Sequence, residues 1–439
     1  MKYGYEQVVD AIYDGNGEGN PLMEALPPLR EKSSVFTQMA SAPPEMGEWR
    51  SLQEAQSSIA RLSTFFLPMD YMYVIYEKLY RAIQTTYLNR DTVEAVRRTC
   101  AIHNDVVTLT SDHVDSGSIL GVPGLGKTST VKKCLSLMPQ VIQHLEYRGA
   151  PFFCKQILWL FVECPSDCSI KALITNVFKA IDQAIGSAYL ATNSRASMSI
   201  GALSAQLKII CQTHHIGLLV IDEIQNLVTT ARDGKQTRPL VRFLVELTNE
   251  TNTAIWMVGT PIVEDLFLSA EHLKRRTRGL RLLPFKPDGT YRRFLEAIWP
   301  HQYTREKAEL TDKLAAVLYD RTGGIPAYLM LLFQETQVRA LLTGKDRISV
   351  RLMNETASII AVDPPKRYLT GTSISDFECY TGETEEPEDM PARQTRLYAN
   401  KRGRPPVPRD KRDLIFLYKQ NRNILESLSK LGMVEIFPC

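Results

Sequence analysis

The octapeptide Gly121-Val122-Pro123-Gly124-Leu125-Gly126-Lys127-Thr128 constrains this chain more tightly than any other segment. It has the spacing of a phosphate-binding loop, and its flanks have the right periodicity. Apolar Ile119-Leu120 closes a strand before it, and Ser129 to Leu137 opens a helix after it. Gly121, Gly124 and Gly126 let the backbone curl so that its N–H groups face phosphate oxygens, with Pro123, Leu125 and Ser129 completing the cradle. Lys127 adds a point charge for the β- and γ-phosphates, and the Thr128 hydroxyl is a ligand for Mg²⁺. The implied cofactors are ATP and Mg²⁺. A strand–loop–helix unit of this kind belongs in an α/β fold whose parallel sheet is covered by helices.

A second strand carries the complementary acids. Leu218-Leu219-Val220-Ile221 runs without a polar residue into Asp222-Glu223, about 95 residues after Lys127. Such a run describes a strand buried on both faces that delivers carboxylates to the carboxyl edge of the sheet. Asp222 is expected to hold the Mg²⁺, and Glu223 to polarise the attacking water as the catalytic base. Further strands are expected over 157–162, 254–258 and 280–283. Ile170, Leu173, Ile174, Val177, Phe178, Ile181 and Ile185 recur at helical spacing and form the apolar stripe of a crossover helix. Thr260 ends its strand at Gly259-Thr260-Pro261, where a hydroxyl can reach the γ-phosphate or the water; closing a strand before proline is its other reading. Arg275, Arg276 and Arg278 precede the last strand. They read either as a solvated basic face or as arginine fingers that complete a neighbouring subunit's site.

Composition narrows the class without naming a partner. The chain has 439 residues, a length for about three domains, and 44% apolar content, enough for a substantial core. No apolar run reaches membrane-spanning length, and the first residues lack the build of a secretion signal, so a cytoplasmic location is expected. The eight cysteines are scattered, and the Cys164/Cys168 pair has no partner cluster, which favours free thiols over a zinc site or disulfides. Net charge is only +3, but its distribution is uneven. Seven acidic residues lie between Asp376 and Asp389, followed by ten Lys or Arg from Arg393 to Arg422. Within the basic block, Lys401-Arg402-Gly403-Arg404-Pro405-Pro406 resembles the AT-hook, an extended element suited to a narrow minor groove. A solubilising linker is an equal reading.

Together these segments resemble the AAA+ ATPases of the initiator-like branch. More specifically, the chain resembles the TnsC-type regulators of Tn-seven-like transposons, relatives of TniB. The resemblance extends to Asn20-Pro21-Leu22-Met23-Glu24-Ala25-Leu26-Pro27-Pro28, to Phe65-Phe66-Leu67-Pro68, to Tyr87-Leu88-Asn89-Arg90, and to Leu218 through Gln225. It ends on Asp413-Leu414-Ile415-Phe416-Leu417-Tyr418, with Leu425 to Phe437 after it. It implies an ATPase that assembles as rings or filaments on double-stranded DNA. Such an assembly bridges a target-selection protein of the TnsD/TniQ type to transposase subunits of the TnsA/TnsB type, and hydrolysis ends it. It also implies that Tyr87 and Arg90 lie near the base. One departure stands out: Ala327, after Thr322-Gly323-Gly324-Ile325-Pro326, occupies the place where many AAA+ lids carry a sensing arginine, leaving Arg321 or Arg339 as substitutes.

The expected organisation is an N-terminal partner-binding region over 1–90, whose Tyr71 to Tyr87 part has helical spacing, an ATPase core over 91–285 and a helical lid over 286–362. A flexible linker over 363–412 and a transposase-docking tail over 413–439 follow. The lid carries its own stripe in Leu314, Val317, Leu318, Leu329, Leu332 and Phe333. Candidate DNA-phosphate contacts are Lys171, Lys208, Arg232 and Lys235, each of which also reads as an ordinary solvated residue. A replication initiator or helicase loader is the alternative function, but no winged-helix pattern fits past Pro364. A scaffold with structural ATP would have no use for Glu223.

Overall fold

The computed structural model describes residues 8–15, 19–43, 51–88, 90, 115–166, 169–193, 198–226, 237–263, 278–345, 347–360 and 378–380. Its main sheet contains β2 (Gly117–Gly121), β5 (Trp159–Glu163), β6 (Leu218–Asp222), β7 (Ala254–Gly259), β8 (Arg278–Leu282) and β9 (Glu378–Tyr380). Their order is β5-β6-β7-β2-β8-β9, parallel throughout except for the antiparallel edge strand β9. The fold is that of an AAA+ P-loop ATPase. The phosphate-loop strand β2 thus sits between β7 and β8, and the acid-bearing β6 lies two strands away.

Strand alternation sends successive side chains to opposite faces, and the core divides accordingly. Ile119, Leu218, Val220, Trp256 and Val258 point into one apolar layer; Leu120, Leu219, Ile221, Ile255 and Met257 point into the other. The second layer is closed by helices at Ile170–Ile185 and Ile200–Thr213, each started by a serine whose hydroxyl accepts from a first-turn N–H. All seven residues of the expected crossover stripe lie in the first of these helices, with six of them buried.

The first layer is built from three parts of the chain. The phosphate-loop helix Lys127–Ser136 lies beside the long helix Asp70–Leu88, whose Ile75, Leu79 and Ile83 are fully buried. Lid helices Gly289–Ile298, Asp312–Thr322 and Pro326–Leu342 contribute Phe294, Leu318, Leu329, Leu332 and Phe333 to the same cluster. The N-terminal segment belongs to it as well, through Leu22, Val35, Met39 and Leu62. Asn20 shows how that segment is fastened. Its Oδ1 accepts from Leu22 N–H at the start of a short helix, while its Nδ2 donates to the carbonyls of Tyr87 and Arg90, both at 3.0 Å.

Two features differ from the sequence reading. The apolar run at 157–162 is divided: Ile157 ends strand β4 (Ala150–Ile157), and β5 begins at Trp159. Strand β4 pairs antiparallel with β3 (Val141–Tyr147), which pairs parallel with β1 (Val8–Asp10), forming a separate three-stranded sheet. The hairpin turns at Arg148-Gly149, both with positive φ (51° and 76°), the geometry of a two-residue primed turn. Arg148 then pairs with Glu24 Oε1 at 2.9 Å, and that carboxylate is only 3% exposed. The second difference is β9, which places three residues of the expected acidic linker against β8.

Among the described residues, no helix is long and apolar enough to cross a membrane, and no group of three or more His, Cys, Asp or Glu is arranged to hold a metal. Among the described residues, Cys134, Cys154, Cys164 and Cys211 are free thiols.

Candidate nucleotide-binding site

Three carboxyl strand ends line up at one edge of the sheet: Asp222 on β6, Gly259-Thr260 on β7 and Gly121 on β2. The phosphate loop turns over that edge. Gly124 and Gly126 have φ of 87° and 79°, left-handed values that penalise any side chain. Gly126 is the N-cap of the following helix and supplies no side-chain hydrogen bond, so the first-turn N–H groups face the loop's concavity. Lys127 Nζ donates to the carbonyls of Gly121 and Val122 at 2.8 and 2.9 Å. Burial holds its ammonium below the usual lysine range, while the nearby Glu223 and Asp222 carboxylates oppose that shift.

Thr128 Oγ1 donates to Asp222 Oδ2 at 2.7 Å. Asp222 is 2% exposed, and its Oδ1 accepts from Glu223 N–H at 2.9 Å. A hydroxyl and a carboxylate meeting at one point form the hard oxygen donor set that Mg²⁺ takes alongside phosphate oxygens, so these residues fit the ion. When bound, it would neutralise phosphate charge at that point.

Glu223 leaves the strand with φ 55°, an unfavourable conformation for a residue with a side chain. It is kept there by Ile224 N–H donating to Val258 O and Asn226 N–H donating to Glu223 O. The Gln225 carboxamide joins two of the expected site residues: Nε2 donates to Glu223 Oε2, and Oε1 accepts from Thr260 N–H at 3.1 Å. The sequence reading had assigned Gln225 no role.

A cavity of about 550 Å³ extends from the loop and from Glu223 and Thr260 toward the lid. Its apolar wall comes from the N-terminal segment, through Phe65, Phe66, Leu67 and Met69, and from the lid, through Phe294 and Met330. Phe65 meets Phe294 edge-on, with ring centroids 6.0 Å apart. A flat aromatic base is the kind of group such a wall accommodates. The Phe65-Phe66-Leu67-Pro68 motif was visible in the sequence, but its place beside the phosphate loop depends on the path of the long helix after it.

Tyr87 and Arg90, expected near the base, lie elsewhere. Tyr87 hydroxyl bonds the carbonyls of Ile157 and His215, and Arg90 Nη2 donates to the carbonyls of Ile216 and Thr251 at 2.9 and 2.7 Å. Those partners precede β5, β6 and β7, so both side chains are buried at the amino edge of the sheet, opposite the phosphate loop. Their role is to tie a helix end to three strand starts.

The lid substitutes for a sensing arginine are also elsewhere. Arg321 donates through Nε and Nη2 to Asn354 Oδ1 within the lid, and Arg339 is not among the cavity's lining residues. Ala327 itself is at the site, with its N–H donating to Gly124 O at 3.1 Å. A Cβ added at Gly124 would come within 3.0 Å of Ile325 Cγ2 and 3.1 Å of Ala327 Cβ. The lid helix therefore rests directly on the phosphate loop, where a small residue fits.

Of the remaining expected residues, Arg275, Arg276, Arg232 and Lys235 lie outside the described residues, as do the AT-hook-like segment and the terminal tail. Arg278 starts β8 opposite Gly117, at the amino edge. Lys208 pairs with Glu250 at 2.8 Å, and Lys171 donates to Met198 O at 3.2 Å.

Residues 111–267 match the family model described as AAA domain, a class of nucleotide-hydrolysing ATPase modules. The fold is similar to that of Aeropyrum pernix ORC2 in its ADPNP-ADP complexes, with 13% identity, TM-score 0.38, and coverage of 63% of this chain and 69% of that one. It is similar also to Drosophila ORC bound to DNA (13% identity, TM-score 0.42, 76% and 74% coverage) and to the Thermotoga maritima RuvB Holliday junction branch migration motor (14%, 0.32, 64% and 72%). A search of curated proteins found no match.

Proposed function

We propose that this chain is an ATP-dependent regulator of DNA transposition. In this reading it oligomerises on double-stranded target DNA, bridges a target-selection protein of the TnsD/TniQ type to transposase subunits of the TnsA/TnsB type, and uses ATP hydrolysis to limit the life of the assembly. The observation that carries the ATPase part is the hydrogen-bonded series Thr128–Asp222–Glu223–Gln225–Thr260, which joins metal-ligand, water-activating and phosphate-sensing candidates at one sheet edge. The transposition part rests on the TnsC-like resemblance of the sequence, which includes segments outside the nucleotide motifs. Asn20 fastens the N-terminal segment, and Phe65 and Phe66 wall the cavity.

Lys127 and the loop N–H groups hold the phosphates, Glu223 activates water, and an arginine among Arg275, Arg276 and Arg278 reaches a neighbour's nucleotide. Contacts to DNA are to phosphates, with Arg232 and Lys235 as candidates beside Lys171 and Lys208, whose amines already have partners within the chain. Binding should then be nearly independent of sequence and fall steeply with salt.

Electron microscopy of the full chain with duplex DNA and a slowly hydrolysed ATP analogue tests this reading. Rings or filaments enclosing DNA are the expected result, and persistent monomers would overturn it. Deletion after Asp410 should spare ATPase activity and DNA coating while disconnecting the transposase. Loss of coating would instead assign DNA contacts to the deleted residues, among them Lys411, Arg412, Lys419 and Arg422.

A further inference from the structure

We infer that Gln225 is a positioning residue for Glu223, holding the water-activating carboxylate in register with the strand end that carries Thr260. The inference rests on the ATPase reading above. Its basis is that one carboxamide makes both bonds: Nε2 donates to Glu223 Oε2, and Oε1 accepts from Thr260 N–H.

The arrangement leaves little room for a different role. Glu223 is exposed, so packing does not fix its rotamer. A free glutamate side chain samples several rotamers, and a bond at one oxygen selects among them while Oε1 remains available for water. The turn after β6 does not need the Gln225 side chain. Its backbone is held by Ile224 N–H to Val258 O and Asn226 N–H to Glu223 O, and Asn226 Nδ2 adds a bond to Cys164 O. Gly259 fits the same arrangement, because a Cβ there would come within 2.6 Å of Gln225 Oε1. Space at the end of β7 is thus reserved for the carboxamide.

The consequence is a mechanical link. A displacement of the β7 end when Thr260 meets a γ-phosphate passes through one rigid amide to Glu223. Gln225 touches no phosphate in this scheme; it acts through Glu223.

Single-turnover ATP hydrolysis by full-length Gln225→Met tests the inference. The methionine keeps length but removes both bonds. The rate should fall about tenfold or more, the scale on which a misplaced catalytic group loses activity. Affinity for a fluorescent ADP and the melting temperature should stay near wild type. Affinity for ADP with aluminium fluoride, which mimics the transferring phosphoryl group, should weaken with the rate. Gln225→Glu keeps an acceptor for Thr260 N–H but sets a like charge beside Glu223, and it should be at least as slow. An unchanged or faster Gln225→Met, or parallel losses of rate, ADP affinity and melting temperature, would overturn the inference. Glu223→Gln separates the two levels. If it hydrolyses ATP at the wild-type rate, the assignment of Glu223 fails and the inference falls with it; if it is inactive while Gln225→Met is normal, only the inference fails.

Discussion

Thr128 Oγ1 donates to Asp222 Oδ2 at 2.7 Å, joining the first turn of the phosphate-loop helix to the end of β6 across the intervening strand β7. Two segments distant in sequence are thereby held at one point, before any phosphate arrives. The bond also fixes which Asp222 oxygen faces the loop, since the other is engaged by Glu223 N–H. A preorganised oxygen pair of this kind lowers the cost of ordering a metal site.

Replacing Thr128 with valine should separate metal binding from phosphate binding. The variant removes one ligand and leaves Asp222 Oδ2 buried without its hydroxyl partner, at a cost of about 1–3 kcal/mol in stability. Nucleotide titrations with Mg²⁺ should show a loss of about tenfold or more, equivalent to about 1.4 kcal/mol. The same titrations in EDTA should differ little from wild type. Equal losses in both conditions would remove the metal-ligand role.

Gly124→Ala should disturb the lid and the loop together. The position has φ 87°, and the new methyl would press on Ile325 and Ala327. The left-handed backbone alone costs about 1–3 kcal/mol. Thermal melts should record that loss, and nucleotide affinity should fall because Ala327 N–H and Gly124 O can no longer keep their bond. Wild-type affinity in a folded Gly124→Ala protein would mean that the lid contact is incidental to nucleotide binding.

The nucleotide loop, the acid strand and the crossover helix were legible in the sequence because each is specified within a few residues. Glycines at fixed spacing, an uninterrupted apolar run and a 3.6-residue stripe are local signals. The hairpin before β5 was not read, although Arg148-Gly149 marks its turn, because its mostly exposed outer half carries a weak alternation. Tyr87 and Arg90 were assigned to the base from a resemblance. Their destination depends on where a 19-residue helix ends against the sheet, which is a tertiary outcome. The cavity wall has the same origin: Phe65 and Phe294 are far apart in sequence and meet only after the lid folds back. Ala327 could be recognised as a departure, but its small size acquires a reason only from its contact with Gly124.

Acid should loosen the N-terminal strand. His144 is 1% exposed, with Nδ1 bonded to Tyr13 hydroxyl and Nε2 to Gln156 Oε1, and Gln156 Nε2 donates onward to Leu22 O. Burial lowers its folded-state pKa, with the Gln156 bond opposing. The unfolded imidazole, with a pKa near 6.5, therefore binds a proton more readily than the folded one. Its contribution is present above about pH 6.5 and is lost as pH falls from there toward the lowered folded-state value, by at most about 1.4 kcal/mol per pH unit. Hydrogen exchange should report falling protection of Val8–Asp10 and its partner strand between pH 7 and 5, after correction for intrinsic rates. Unchanged protection, or protection that rises on acidification, would exclude His144 as the cause.

Arg90→Met tests the placement of that arginine at the amino edge. Its guanidinium donates to the carbonyls of Ile216 and Thr251, and its own carbonyl accepts from Asn20 Nδ2. Methionine fills much of the volume but leaves the buried Thr251 carbonyl without its guanidinium donor, while Ile216 O keeps the Thr253 hydroxyl at 3.1 Å; the cost is about 1–3 kcal/mol. The melting temperature should fall by several degrees. Nucleotide affinity, measured where the variant remains folded, should stay within about twofold, because the bonds lost are on the opposite edge from Lys127 and no residue of the cavity wall changes. A selective loss of affinity of tenfold or more, with an unaltered melt, would return Arg90 to the base. A fall in stability alone would instead make the Arg90 guanidinium the tie between the end of the long helix and the starts of β6 and β7, the strands that carry Asp222 and Thr260 at their far ends.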